Sequence, residues 1–319
     1  MLKKIAESIQ QNLNVLEKKE LTEIIKYINN NSYKTPRIFS DIGEDSAAVE
    51  DDEKFVLMTT DRIKTSFIEN FPFGAGFSSI LVGIDDIYCC GGIPLAASVI
   101  LSFTDRTKGQ KIIEGICEGS RKFKVPIIRG HTNASSQYYE LSTTMIGEIK
   151  KEDFISAKTA QIDDNIILVS DFDGKVGKAN KLYWDTVTFK DSEEILKKRN
   201  ALNVIAKKHL ANASKDISNG GIFGTMMQLI KYSNVGADVS INKILIPQNL
   251  VDLNYTLEEY IKMYLTTSYI ITASDQNSDQ IIKIFQNYNL HANVIGKIIK
   301  KQHVLRVSDD KKSIDVIEF

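Results

Sequence analysis

The stretch Phe71–Phe103, FPFGAGFSSILVGIDDIYCCGGIPLAASVILSF, decides the fold. Pro72 opens a helical run within whose first turn its missing amide costs nothing, and Gly91-Gly92 with Pro94 beyond closes it. Leu95–Phe103 then reads as a strand, so a helix feeds directly into a sheet. Asp86 sits among Ile80, Leu81, Val82, Ile84 and Ile87 of that helix. An ionised carboxylate buried without a partner is expensive, so Asp86 must reach solvent, a cation or a metal. Taken alone, a solvated face explains it as well as a ligand does.

Outward from this stretch, strands are expected at Phe55–Thr60, Val125–Ile128 and Leu141–Ile149, with a helix at Lys108–Lys124. Residues 1–30 read as two amphipathic helices, apolar at Leu2, Ile5, Ile9 and Leu13 and then at Leu21, Ile24, Ile25 and Ile28. A second region starts near Asn165 with a strand at Ile166–Ser170 and a turn-rich segment, Asp171–Lys190. Helices at Ser192–Leu210, Gly221–Tyr232 and Ser278–Tyr288 and strands at Tyr269–Ala273 and Ala292–Ile299 follow. The expectation is a two-domain α+β chain with an α/β-like first half, divided into residues 1–157 and 158–319.

Composition narrows the function classes. The 319 residues are 43% hydrophobic, and Lys+Arg 40 against Asp+Glu 41 leaves a net charge of −1. Such balance lacks the basic footprint of a nucleic-acid binder. The longest apolar stretch, Gly91–Phe103, falls short of the ~20 residues that cross a bilayer. Glu7, Gln10 and Gln11 interrupt what a signal peptide needs, so a cytoplasmic location is expected, with neither membrane nor nucleic acid as partner. Cys89, Cys90 and Cys117 form no paired framework and are expected to be buried thiols.

Neither GxxxxGKS/T nor GxGxxG occurs, so any chemistry must come from scattered residues. Asp45, Asp61, Asp86 and Asp216 stand where a bland domain rarely wants an acid. Asp61 closes the apolar strand Phe55–Met58, at the kind of strand end where open sheets place ligands. In Asp216-Ile217-Ser218-Asn219-Gly220-Gly221, Ser218 can cap a helix whose first turn contains Gly220 and Gly221, leaving amides open to an anion. Arg129-Gly130-His131-Thr132, just after the strand Pro126-Ile127-Ile128, gathers donors in the same way. Each stretch alone also fits a tight turn, and Lys215, beside Asp216 where it could meet a phosphate, reads first as a solvated lysine.

Four carboxylates brought together would repel by roughly 4 kcal/mol per pair at about 4 Å and an effective dielectric near 20. Such a cluster needs cations. Mg²⁺ prefers carboxylate oxygen and is commonly shared with nucleotide phosphates, so acids combined with phosphate cradles point to Mg²⁺ and ATP. Phosphoryl transfer asks mainly for positioning and charge neutralisation, without a dedicated nucleophile.

These segments, in this order, resemble the AIR synthase-related superfamily, which includes aminoimidazole ribonucleotide synthetase, thiamine-monophosphate kinase, selenophosphate synthetase and a hydrogenase maturation protein. Within it, the segments also resemble those of the proteins called methanogenesis marker protein 2. Gly43–Val49 is similar to GDDAA, Thr59-Thr60-Asp61 to TTD, and Asp85–Pro94 to NDIAAMGGxP. Gly130-His131-Thr132 is similar to GGHT, and Asp216–Gly221 to DISxGG. The resemblance implies an N-terminal domain whose strands join a second subunit's in a β-barrel, a C-terminal α+β domain, and a homodimer. It implies Asp45, Asp61, Asp86 and Asp216 as metal ligands. Thr60, Gly130, His131, Thr132, Ser218, Asn219, Gly220 and Gly221 are then the ATP contacts.

Departures shape the expected activity. The first cysteine is Cys89, too late for the N-terminal nucleophile of selenophosphate synthetase, and the end Val316-Ile317-Glu318-Phe319 lacks the cysteine of the hydrogenase protein. Glu44, Arg129 and Asn219 replace family residues. The expected function is Mg²⁺-dependent transfer of the γ-phosphoryl group of ATP to a small-molecule acceptor. The alternatives are a non-catalytic nucleotide-binding partner or regulator, and a synthetase or cyclo-ligase of the aminoimidazole ribonucleotide type.

Overall fold

The computed structural model describes residues 1–20 and 22–318, with side chains for all of these except 18–20, 22 and 23. Leu21 and Phe319 lie outside the described residues. Among the described residues the N-terminal stretch, expected to hold two helices, is helical over α1 (Leu2–Gln10), α2 (Leu13–Glu20) and α3 (Thr22–Asn31). The first break falls at Asn12, whose Oδ1 accepts the Asn14 amide at 3.1 Å and restarts the helix as a cap.

The first sheet contains β1 (Ile38–Ser40), β2 (Ala47–Asp51), β3 (Lys54–Arg62), β4 (Ile93–Ser102), β5 (Ile127–Asn133) and β6 (Glu140–Lys150). Its order is β1-β2-β3-β6-β4-β5. The pair β4–β5 is parallel and is joined by α6 (Arg106–Phe123), while the other pairs are antiparallel. After β3, α4 (Thr65–Asn70) leads into α5 (Pro72–Cys89). Alternation along β3 and β6 sends Phe55, Leu57, Leu141 and Met145 into the core beneath α5. Helices α5 and α6 approach closely because a Cβ at Gly76 would strike the Ile112 carbonyl and one at Gly115 the Phe73 carbonyl. The opposite face of the sheet is open, with Met58 and Ile100 exposed, and among the described residues no closed barrel forms.

The second sheet contains β7 (Asn165–Ser170), β10 (Ala213–Asp216), β11 (Gly236–Ser240), β13 (Ser268–Ala273), β14 (His291–Ile299), β15 (Val304–Ser308) and β16 (Ser313–Glu318). Its order is β10-β13-β7-β14-β11-β15-β16. Helices α7 (Ser192–Lys207) and α11 (Asp275–Asn287) lie on one side. On the other side lies α8 (Gly221–Ser233), with short helices α9 (Gln248–Asp252) and α10 (Leu257–Tyr260) nearby. The turn-rich segment forms β8 (Lys175–Val176) and β9 (Tyr183–Asp185), which join β12 (Tyr264–Leu265) in a small sheet. Trp184 is fully buried there and donates Nε1–H to the Asp171 carbonyl at 2.8 Å.

The first helix belongs to this second core: Leu2, Ile5 and Ile9 of α1 pack with Ile230, Leu305 and Val316. The two halves meet where α7 faces α5. Asn203 donates from Nδ2 to the carbonyls of Gly91 and Gly92 at 2.7 and 2.9 Å, holding the end of α5. Cys89 and Cys90 are buried as expected, but Cys117 is exposed. Among the described residues no helix is long and apolar enough to cross a membrane.

Candidate functional site

Four elements from both halves deliver carboxylates to one place. Asp45 lies in the loop before β2, Asp61 near the end of β3, Asp86 on α5, and Asp216 at the end of β10. Ligand oxygens of Asp45, Asp86 and Asp216 lie within 4.8 Å of one another. Asp61 joins them through the hydroxyl of Thr59. The Thr59 hydroxyl is 2.5 Å from Asp86 Oδ2 and 3.4 Å from Asp61 Oδ2, so it bridges the pair. Burial, followed by the neighbouring charges of Asp61 and Asp216, pushes the Asp86 carboxyl well above the usual range. Asp61 is raised as well, first by burial and then by Asp216, against the opposing bond to Asp86.

The Asp45 loop is fixed by the residue before it. Glu44 accepts from the Ser40 and Ser156 hydroxyls, both at 2.6 Å, and from the Ala157 amide at 2.7 Å. Its carboxylate therefore ties the loop to the segment between the two sheets and is turned away from ligand duty. Lys215 overturns its sequence reading: it is buried, and its Nζ pairs with Asp45 Oδ1. Strand β10 is buried along its whole length, so no residue on it faces bulk water.

The start of α8 differs from the anion cradle expected. Its N-cap is Gly220, at φ +100°, and not Ser218. Gly221, at φ +66°, donates its amide to the Ser218 carbonyl at 3.0 Å, and the Ile222 amide donates to the Ile261 carbonyl at 3.0 Å. Two amides of the first turn are thus already engaged. A Cβ at Gly221 would run into the Ile261 carbonyl, so this glycine serves a close backbone approach. The stretch is still tied to the acids, because Thr225 on α8 donates its hydroxyl to the Asp216 carbonyl at 3.0 Å. Val15 of α2 lies over Gly220, and the neighbouring Asn14 accepts from Lys64 Nζ at 3.0 Å.

The remaining expected contacts do not gather here in one chain. Arg129–Thr132 lie inside β5 and not in a turn after its end, because parallel pairing with β4 continues to Asn133. Gly130, His131 and Thr132 are exposed on that edge strand. Asp61, Thr143, Val99 and Gly130 form one cross-strand row, which separates Gly130 from Asp61 by three strand spacings, about 14 Å. Thr60 faces the open side and pairs with the Thr144 hydroxyl at 2.9 Å.

Sequence reasoning passed over two aromatic residues beside the cluster. The rings of Tyr183 on β9 and Tyr264 on β12 stack at 5.5 Å. Burial raises both phenols, and Asp85, Asp86 and Asp216 add to the effect at Tyr264. Their proximity depends on the parallel pairing of β9 with β12, across 80 residues of chain, which no local pattern announces.

The chain resembles known proteins along nearly its whole length. Residues 43–149 match the AIR synthase related protein N-terminal domain, and residues 164–308 match the corresponding C-terminal domain. An uncharacterised protein of Methanocaldococcus jannaschii is 30% identical over 321 residues, covering 100% of this chain and 97% of that one. A thiamine-monophosphate kinase of Buchnera aphidicola is 25% identical, covering 92% of this chain and 95% of its own. The structure of T. maritima PurL complexed with ADP superposes with a TM-score of 0.72 at 18% identity, covering 91% of this chain. This chain spans 47% of that PurL chain, about half its length. With both domain models matched in order and a full-length relative at 30% identity, the chain belongs to the AIR synthase related family.

Proposed function

We propose that this protein is a Mg²⁺-dependent, ATP-binding enzyme that transfers the γ-phosphoryl group of ATP to a small-molecule acceptor. The observation that carries this reading is the meeting of Asp45, Asp86 and Asp216, with Asp61 linked to Asp86 through the Thr59 hydroxyl, from four elements and both halves of the chain. The donor set fits the ion: all are hard carboxylate oxygens, and their mutual repulsion and burial are relieved by a divalent cation. Bound there, Mg²⁺ would neutralise charge on the polyphosphate.

The chain's own residues would do the rest. The Asp216–Gly221 segment, held to α8 by Thr225, fixes one wall of the site. Thr60, Gly130, His131 and Thr132 are proposed nucleotide contacts that become part of a site when a second copy covers the open face and edge of the first sheet. The open face exposes Met58 and Ile100, and the edge strand β5 exposes Ile127 and Ile128, together an apolar surface that a homodimer would bury. The stacked Tyr183 and Tyr264 are placed to contact the acceptor. Relatives named as a thiamine-monophosphate kinase and as PurL complexed with ADP support nucleotide chemistry for this reading.

Calorimetry with Mg²⁺ and a nonhydrolysable ATP analogue tests the site, and ADP release across a panel of metabolites tests the turnover. Asp61→Asn is expected to weaken nucleotide binding at least tenfold, on the order of 1.4 kcal/mol, while the protein remains folded. Titration curves that superimpose on those of the parent would remove the site assignment. Bound nucleotide with no acceptor that ever stimulates ADP release would remove the transfer reaction.

A further inference from the structure

We propose that Lys215 is an internal counter-ion of the acidic cluster, keeping it from capturing a bare divalent cation and giving way when cation and polyphosphate arrive together. This rests on reading the cluster as a cation site. Lys215 Nζ pairs with Asp45 Oδ1, and the two side chains are only 8% and 3% exposed. The other oxygen of Asp45, Oδ2, accepts the backbone amide of Asp216 at 3.2 Å. Both oxygens of one of the three converging carboxylates are therefore occupied, one of them by the lysine head group.

A metal ion entering alone must displace that ammonium from Asp45 and leave a buried, uncompensated cation beside itself, which opposes binding electrostatically. A metal ion entering with a polyphosphate meets a different balance. The displaced ammonium, a compact charge with three donors on a flexible stem, then has anionic oxygens to receive it. Its backbone is anchored next to Asp216 in a buried strand, so the side chain can turn from one partner to the other without leaving the site. The same lysine thus disfavours metal alone and favours metal with nucleotide. It is a positioning residue whose effect appears in the order and cooperativity of binding.

The test uses Mn²⁺ as the probe, read by electron paramagnetic resonance and calorimetry with and without AMPPNP, on the full chain. Lys215→Met should bind Mn²⁺ without nucleotide at least about tenfold more tightly than the parent and lose at least about tenfold in AMPPNP affinity with Mn²⁺ present. Lys215→Arg, which keeps the charge, should stay within about threefold of the parent in nucleotide-free Mn²⁺ affinity. If Lys215→Met fails to fold, Lys215→Gln carries the same expectation. Parental nucleotide-free affinity in the neutral variants, in a protein that does take Mn²⁺ with AMPPNP, overturns the role of Lys215 and leaves the cation site standing. A parent protein that takes no Mn²⁺ even with AMPPNP overturns the cation site, and the role of Lys215 with it.

Discussion

Arg199 Nε donates to Asp85 Oδ1 across 2.8 Å, joining the second half of the chain to the first one residue away from Asp86. The guanidinium is fully buried, donates from Nη1 to the Ile195 carbonyl at 3.1 Å, and lies 5.2 Å from the Phe123 ring centroid. Burial drives the Asp85 carboxyl upward and Arg199 pulls it back. The pair orients α5, and with it the face that carries Asp86. Arg199→Met leaves a carboxylate buried without its partner and should cost about 3–5 kcal/mol by urea denaturation. The double variant Asp85→Leu/Arg199→Met should recover most of that loss. Equal stability of the single variant and the parent would show that the pair does not hold the halves together.

Asp86→Asn should make the cation-free protein more stable near neutral pH, by about 0.5–2 kcal/mol, while weakening cation binding. The native carboxyl lies well above the unfolded value of about 3.9, so its contribution is full below about pH 4 and is lost as pH rises through the native value. Denaturation midpoints at pH 5, 7 and 8 should therefore fall more steeply with pH in the parent than in the variant. A variant less stable than the parent at pH 8 would contradict this origin of the shift.

Glu44→Ala removes the acceptor of two hydroxyls and one amide and frees the loop that holds Asp45. A loss of about 1–3 kcal/mol is expected, because the donors left behind are partly buried. Cation affinity should fall as well, although Glu44 is no ligand. Melting and Mn²⁺ titration on the same samples distinguish the two effects, and unchanged titration would show that the loop holds its shape unaided.

Gly221→Ala should destabilise by about 3 kcal/mol, because its Cβ meets the Ile261 carbonyl at positive φ. Gly74→Ala is the contrast: the nearest atom to its new Cβ is 3.5 Å away, in ordinary contact. It lies inside α5, where alanine is favoured by up to about 1 kcal/mol, so it should be neutral or stabilising. Melting curves that fail to separate the two variants would refute the steric account.

The helix and strand run through Phe71–Phe103 was legible because it is long, apolar and punctuated by proline and glycine, and α5 and β4 lie within a few residues of where they were expected. The four aspartates were singled out through motif order, not through any local period, and ligand oxygens of Asp45, Asp86 and Asp216 lie within 4.8 Å of one another. What local reading missed depends on distant partners. Lys215 looked solvated because its neighbours in sequence are polar, yet β10 is buried and Asp45 reaches it from 170 residues away. Arg129–Thr132 looked like a turn because glycine and histidine break the strand pattern, whereas pairing with β4 extends the strand through them. Ser218 looked like a cap, but two glycines at positive φ let the chain turn later.

Helix α1 (Leu2–Gln10) lies on β16 (Ser313–Glu318), so a helix and a hairpin about 300 residues apart complete one another's packing. Some 300 residues of synthesis separate these partners, about 15–60 s at ribosomal speed. During that interval the apolar side of α1 can meet Ile230 but still waits for Leu305 and Val316. In the folded protein α1 and the β15–β16 hairpin share one apolar seam, so a substitution on either side presses on the same spot.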